Sequence, residues 1–170
     1  MRAILVISLI LTLCSSLWAD CSLKNNLPDP QCTKGSVFPN ITKETLCTPG
    51  YSKTVRDVSS AKKKQIYKDY GIDPRKYKCK FGIDHLVSLQ LGGDNADTNL
   101  FPLPQPVKGE KDKIENALRR AICNDEISIE EAQKAIARNW QAMYYKMKLA
   151  HLKKLNGELW SDWQSYCPAK

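Results

Sequence analysis

The stretch from Phe81 to Leu103 reads as two apolar strands around a polar loop, and no other segment restricts the folding of this chain so tightly. Phe81-Gly82-Ile83 leads into Asp84-His85, Gly92-Gly93 marks a turn, and Leu100-Phe101-Pro102-Leu103 comes directly after Asn99. The pattern predicts a hairpin over about residues 79 to 103. A carboxylate, an imidazole and an amide are thereby gathered at its mouth. Histidine is the side chain whose ordinary pKa lies nearest neutrality, so it can take a proton while staying mostly unprotonated at rest. Only His85 and His151 occur in the chain, which narrows the choice of base.

Beyond the hairpin the apolar residues recur at helical spacing. Ile114, Ala117, Leu118, Ala121 and Ile122 share one face and predict a helix from about 110 to 123. Ser128 and Glu131 make a capping box. It opens a helix whose Ile129, Ala132, Ile136, Trp140, Met143 and Met147 form a core stripe, with Asn156-Gly157 as its stop. Upstream, Ser59 or Ser60 caps a shorter helix to about Asp69, and Gly71 ends it. Residues 20–50, rich in Pro, Asn, Thr and Cys without periodicity, read as disulfide-pinned loops. The whole is expected to be a small α+β domain, mainly helical, with the hairpin and the adjoining helix at its centre. The aromatic stretch Trp160 to Cys167 reads as packing onto that core, anchored by Cys167.

The N-terminus points outward from the cytoplasm. Met1-Arg2 starts positive, Ala3 to Leu13 is almost wholly apolar, and Ser15-Ser16-Leu17-Trp18-Ala19 resembles a cleavage region, so residues 1–19 read as a secretory signal peptide. It is too short to span a membrane comfortably. A lipid anchor is disfavoured, since Leu13 and Asp20 precede Cys14 and Cys21 where a small residue is needed. Of seven cysteines, Cys14 leaves with the leader. Cys21, Cys32, Cys47, Cys79, Cys123 and Cys167 remain, an even set that reads as up to three disulfides in an oxidising compartment, secreted or periplasmic. Spacing cannot choose among the pairings. The absence of a C-x-x-C knuckle argues against structural zinc.

Removing Arg2 with the leader lowers the formal net charge only from +8 to +7. A positive field of this kind attracts polyanions. Lys62-Lys63-Lys64, the run Arg75 to Lys80, and Arg119-Arg120 flank the hairpin on both sides, as a nucleic-acid strand laid across it would require.

Asp84-His85, Asn99 about fourteen residues on, and a helix beyond resemble the HNH nuclease motif. The runs Leu27 to Thr33, Leu46 to Arg56, Asp84 to Gly93, Asn99 to Pro102 and Lys111 to Cys123 are similar to small secreted bacterial proteins with an HNH-type core. The likeness spans roughly residues 27 to 140 and places the nuclease core at 51–140, with 141–170 as a helical and aromatic extension. It implies a ββα-metal fold and a metal-dependent endonuclease acting on DNA, with RNA as a further substrate. Asp84 would bind a divalent cation, Mg²⁺ or alternatively Mn²⁺; His85 would deprotonate water; Asn99 would hold the loop so that the imidazole points correctly. The family's third residue falls at Lys108, which cannot bind metal while protonated. With the helix expected to start near Glu110, Asn116 or Glu115 takes that role, and Lys111 or Arg119 becomes a phosphate clamp. No stable membrane association is expected after leader removal. The missing third residue keeps open a second reading, an exported, disulfide-stapled binding protein with this fold and no catalysis.

Overall fold

Asn25 and Asn26 both take positive φ, 51° and 60°, the backbone that a two-residue hairpin turn demands. They join β1 (Leu23–Lys24) to β2 (Leu27–Pro28), a minimal antiparallel sheet inside the segment expected to be loops. The computed structural model describes residues 21–151 and 169–170. Helix α1 (Lys43–Cys47) is capped by Thr42, and α2 (Tyr51–Thr54) comes within one turn of its end. Ser59, not Ser60, caps α3 (Ser60–Asp69), its hydroxyl accepting from the Lys62 N–H.

The predicted hairpin is present. β3 (Phe81–His85) pairs antiparallel with β4 (Leu100–Pro104), with Asp84 opposite Phe101 and His85 opposite Leu100. β4 is buried along its whole length against α3 and α4 (Gln105–Cys123). Helix α4 therefore leaves β4 with no connecting loop, five residues earlier than the periodicity places it. Pro106 reads as a break in the sequence, yet a proline in the first helical turn costs no hydrogen bond because that turn's N–H groups have no intrahelical partner. Lys108 is consequently on the helix.

Helix α5 (Ile129–His151) opens on the capping box, with Ser128 and Glu131 bonding each other's backbone N–H. It is not continuous: at Asn139 the backbone becomes extended, and the Asn139 side chain accepts from the Ala142 N–H to start the second half. Ala132, Ile136, Trp140 and Tyr144 are buried, so the stripe packs as core. Leu46, Leu91, Phe101 and Leu103 complete its centre. The fold is a small α+β domain with five helices and two two-stranded antiparallel sheets among the described residues. No helix among them is long and apolar enough to cross a membrane. The leader, the Asn156-Gly157 stop, the aromatic stretch and Cys167 lie outside the described residues.

Disulfides tie the periphery to this core. Cys21 bonds Cys32, Cys47 bonds Cys123, and Cys79 is also disulfide-bonded. The Cys47–Cys123 bridge, closing 76 residues of sequence, joins the end of α1 to the end of α4. Arg119 donates from Nε to the Leu46 carbonyl at 2.9 Å beside it. Replacing Cys47 and Cys123 together by serine is expected to lower stability by about 4 kcal/mol, the scale for opening so long a loop. Urea unfolding of the paired variant checks this; a loss under about 1 kcal/mol would mean the packing of α1 on α4 holds without the bridge.

Candidate active site

Alternation along β3 turns successive side chains to opposite faces. Asp84 therefore meets α4, whereas His85 meets the loop 86–99 that joins the two strands. That loop is built around Asn99, which is fully buried. Its Oδ1 accepts from the Val87 N–H at 2.8 Å, and its Nδ2 donates to the carbonyls of Val87 at 2.9 Å and Asp94 at 2.8 Å. One amide thus clips both ends of the segment 87–94. The Gly92-Gly93 turn fits the same clip: Gly92 has a φ of 85°, and a Cβ on Gly93 would lie 1.8 Å from the Val87 carbonyl oxygen.

The imidazole itself meets a different amide. His85 Nε2 is 3.0 Å from Oδ1 of Asn95. Asn95 in turn reaches the chain just after α2, donating to the Val55 carbonyl at 2.7 Å and accepting from the Asp57 N–H at 3.2 Å. Arg56, exposed between those two residues, acts on His85 through its charge. Lys62 of α3 donates to the Asn95 carbonyl at 2.8 Å and pairs with Asp97 at 3.1 Å. Burial of His85, together with the positive charges of Arg56 and Lys111, lowers its pKa against the opposing pull of Asn95 and Asp84, which favours the neutral ring.

On the other face, Lys111 is 0% exposed and surrounded by three oxygens. Its ammonium donates to the His85 carbonyl at 2.6 Å and to Glu115 Oε1 at 2.5 Å, and pairs with Asp84 Oδ2 at 3.0 Å. Gln90 holds the second oxygen of Glu115 at 3.3 Å. Burial alone pushes the Asp84 carboxyl up, but Lys111 and Lys108 outweigh it and hold the group below the usual carboxylate range. Lys111 behaves in the mirror sense: burial pulls it down, and Asp84 with Glu115 lifts it above an ordinary lysine. Lys108, on the outer side, pairs with Asp112 at 2.5 Å and stands 3.8 Å from Asp84 Oδ1.

Several expected site residues are not brought into the role the resemblance implies. Asn116, about 100° round α4 from Glu115, is exposed and is not brought to Asp84. Glu115 is held by Lys111 and Gln90. Lys111 cannot clamp a phosphate, being wholly buried in its ion pairs, and Arg119 is engaged with the Leu46 carbonyl. Among the described residues, no three histidine, cysteine or carboxylate side chains converge as a metal cage. A hard dication nevertheless keeps several waters and needs only one or two carboxylates. Asp84 Oδ1, 3.8 Å from the Lys108 ammonium, is the oxygen such a cation would have to use; Asn116 is not brought to it, and the Lys111 ammonium stands between Asp84 and Glu115, so neither expected second ligand joins Asp84. Asn95 and Arg56 are not marked in the sequence as site residues. Asn95 meets His85 across ten residues of loop and Val55 across forty, and neither spacing belongs to a regular element that would single it out. Comparison with protein-family models, curated proteins and solved structures finds no match to this chain.

Proposed function

We propose that the protein hydrolyses phosphodiester bonds of DNA, and of RNA where a single strand fits the same surface, outside the cytoplasm. The observation that carries this reading is the His85 imidazole, buried beside positive charge and held by Asn95, which favours the neutral ring; the anionic Asp84 is its neighbour in the chain but faces α4 on the other side of the hairpin. A neutral imidazole can take the proton of an attacking water. Arg56 beside it and Lys108 on the far side of Asp84 supply positive charge for a phosphate's oxygens. The basic residues of α3, Lys62 to Lys64, extend that charge along a strand's path. A divalent cation held on Asp84, Mg²⁺ or Mn²⁺, would stabilise negative charge developing on the phosphate and the leaving oxygen. The disulfides suit an oxidising compartment, secreted or periplasmic. The resemblance to HNH-type secreted proteins supports the same reading: hairpin, Asp-His and loop-clipping asparagine stand in the order that motif has.

One observation favours a second reading. Lys111 occupies the space between Asp84 and Glu115, which suits a binding protein that keeps this framework without catalysis. Incubating purified protein with supercoiled plasmid and with RNA separates the two. Cleavage is expected in Mg²⁺ or Mn²⁺ and its loss in chelator. Undiminished cleavage in chelator would remove the cation from the reaction, and intact plasmid and RNA under every condition would leave the binding protein.

A further inference from the structure

The two nitrogens of a neutral imidazole are not equivalent: one carries the proton and the other offers a lone pair, and the partner of the first decides which is which. His85 Nε2 faces Asn95 Oδ1 at 3.0 Å. The orientation of the Asn95 amide is fixed by its other hydrogen-bond partners. Two backbone groups settle it. The Asp57 N–H points at Oδ1 and the Val55 carbonyl at Nδ2, at 3.2 and 2.7 Å. Turning the amide over would set donor against donor at Asp57 and acceptor against acceptor at Val55. Asn95 therefore presents a lone pair to the imidazole.

We propose that Asn95 is a positioning residue that holds the proton of neutral His85 on Nε2, leaving Nδ1 as the atom that accepts a proton. Asn99, by contrast, shapes the loop through Val87 and Asp94. The Asn95 amide is itself braced from two sides, by the chain at Val55 and Asp57 and by Lys62 on its own carbonyl. The catalytic consequence rests on His85 being the base; the position of the proton does not.

The test uses ¹⁵N-histidine NMR on protein carrying His151→Gln, which leaves one imidazole to read. At a pH of about 8.5, where a histidine of ordinary pKa of about 6.5 is neutral, the expected spectrum is a single form with a protonated Nε2 and a slowly exchanging proton. In Asn95→Ala, exchange should accelerate and the Nδ1-protonated form should appear. In Asn95→Asp, which retains an acceptor for the ring but sets a second oxygen against the Val55 carbonyl, the Nε2-protonated form should return with its proton exchanging faster than in wild type. In parallel, plasmid cleavage should fall by about 100-fold in Asn95→Ala with little change in KM, the scale of a misaimed catalytic group, and recover in part in Asn95→Asp. A proton found on Nδ1, or a mixture of forms in the otherwise wild-type protein, overturns the proposal even if a variant fails to fold. A locked Nε2 proton in a protein that cleaves nothing sustains the assignment of Asn95 and discards the nuclease reading instead.

Discussion

Lys111→Met is expected to destabilise the folded protein by about 3–5 kcal/mol, the cost of leaving buried charge without its partner. The methionine fills the same space, so the loss reports charge and not volume. Asp84 and Glu115 are 8% and 7% exposed, so little water reaches either carboxylate in place of the ammonium. The pH dependence is set by the direction of each shift. Asp84 titrates lower in the fold than in the unfolded chain, so its contribution is present above the unfolded value of about 3.9 and is lost as pH falls through the folded one. Lys111 titrates higher in the fold; its contribution is complete below about 10.4 and is lost only as pH rises through the raised value. The deficit of Lys111→Met should therefore shrink toward acid pH, as the Asp84 carboxyl becomes neutral. Adding Asp84→Asn and Glu115→Gln should restore most of the stability at neutral pH. Urea unfolding across pH measures both; a deficit under about 1 kcal/mol at neutral pH would show that the buried trio does not hold α4 against the hairpin.

His85→Ala should reduce plasmid cleavage by at least about 100-fold, the lower end for loss of a general base. Affinity for a short duplex should be nearly unchanged in the same variant, because Arg56, Lys62 and Lys108 remain to meet phosphate. Turnover and duplex affinity are measured together, in Mg²⁺ and in Ca²⁺ respectively, on protein whose circular dichroism matches wild type. Near wild-type cleavage by folded His85→Ala would end the assignment of His85 as base. Loss of affinity alongside turnover would instead mark the imidazole as part of the binding surface.

Local hydrogen bonding makes much of this fold legible in the sequence alone. The Ser59 cap, the Ser128–Glu131 box and the glycine turn each depend on groups within a few residues of one another, and all three are present. The start of α4 is not legible in the same way, because Pro106 reads as a break until β4 delivers the chain in helical direction at Pro104. Lys111 reads as a surface clamp, since lysines are rarely buried. Yet the stripe Val107, Lys111, Ile114, Leu118 and Ile122, traced backward from Ile114, does place it inward. Helical spacing therefore carried a signal for its burial that residue type concealed.

By itself the sequence determined the hairpin, the helical faces and the neighbouring Asp84 and His85, because turns, caps and periodicity act over a few residues; the loop role of Asn99 came from the resemblance. Only the tertiary structure decided what those groups meet. It set Lys111 between Asp84 and Glu115, drew Asn95 to the imidazole and to the chain after α2, and left Asn116 in solvent. Burial and charge pairing depend on residues tens of positions apart, and a buried charge is tolerable only where a distant partner arrives to meet it.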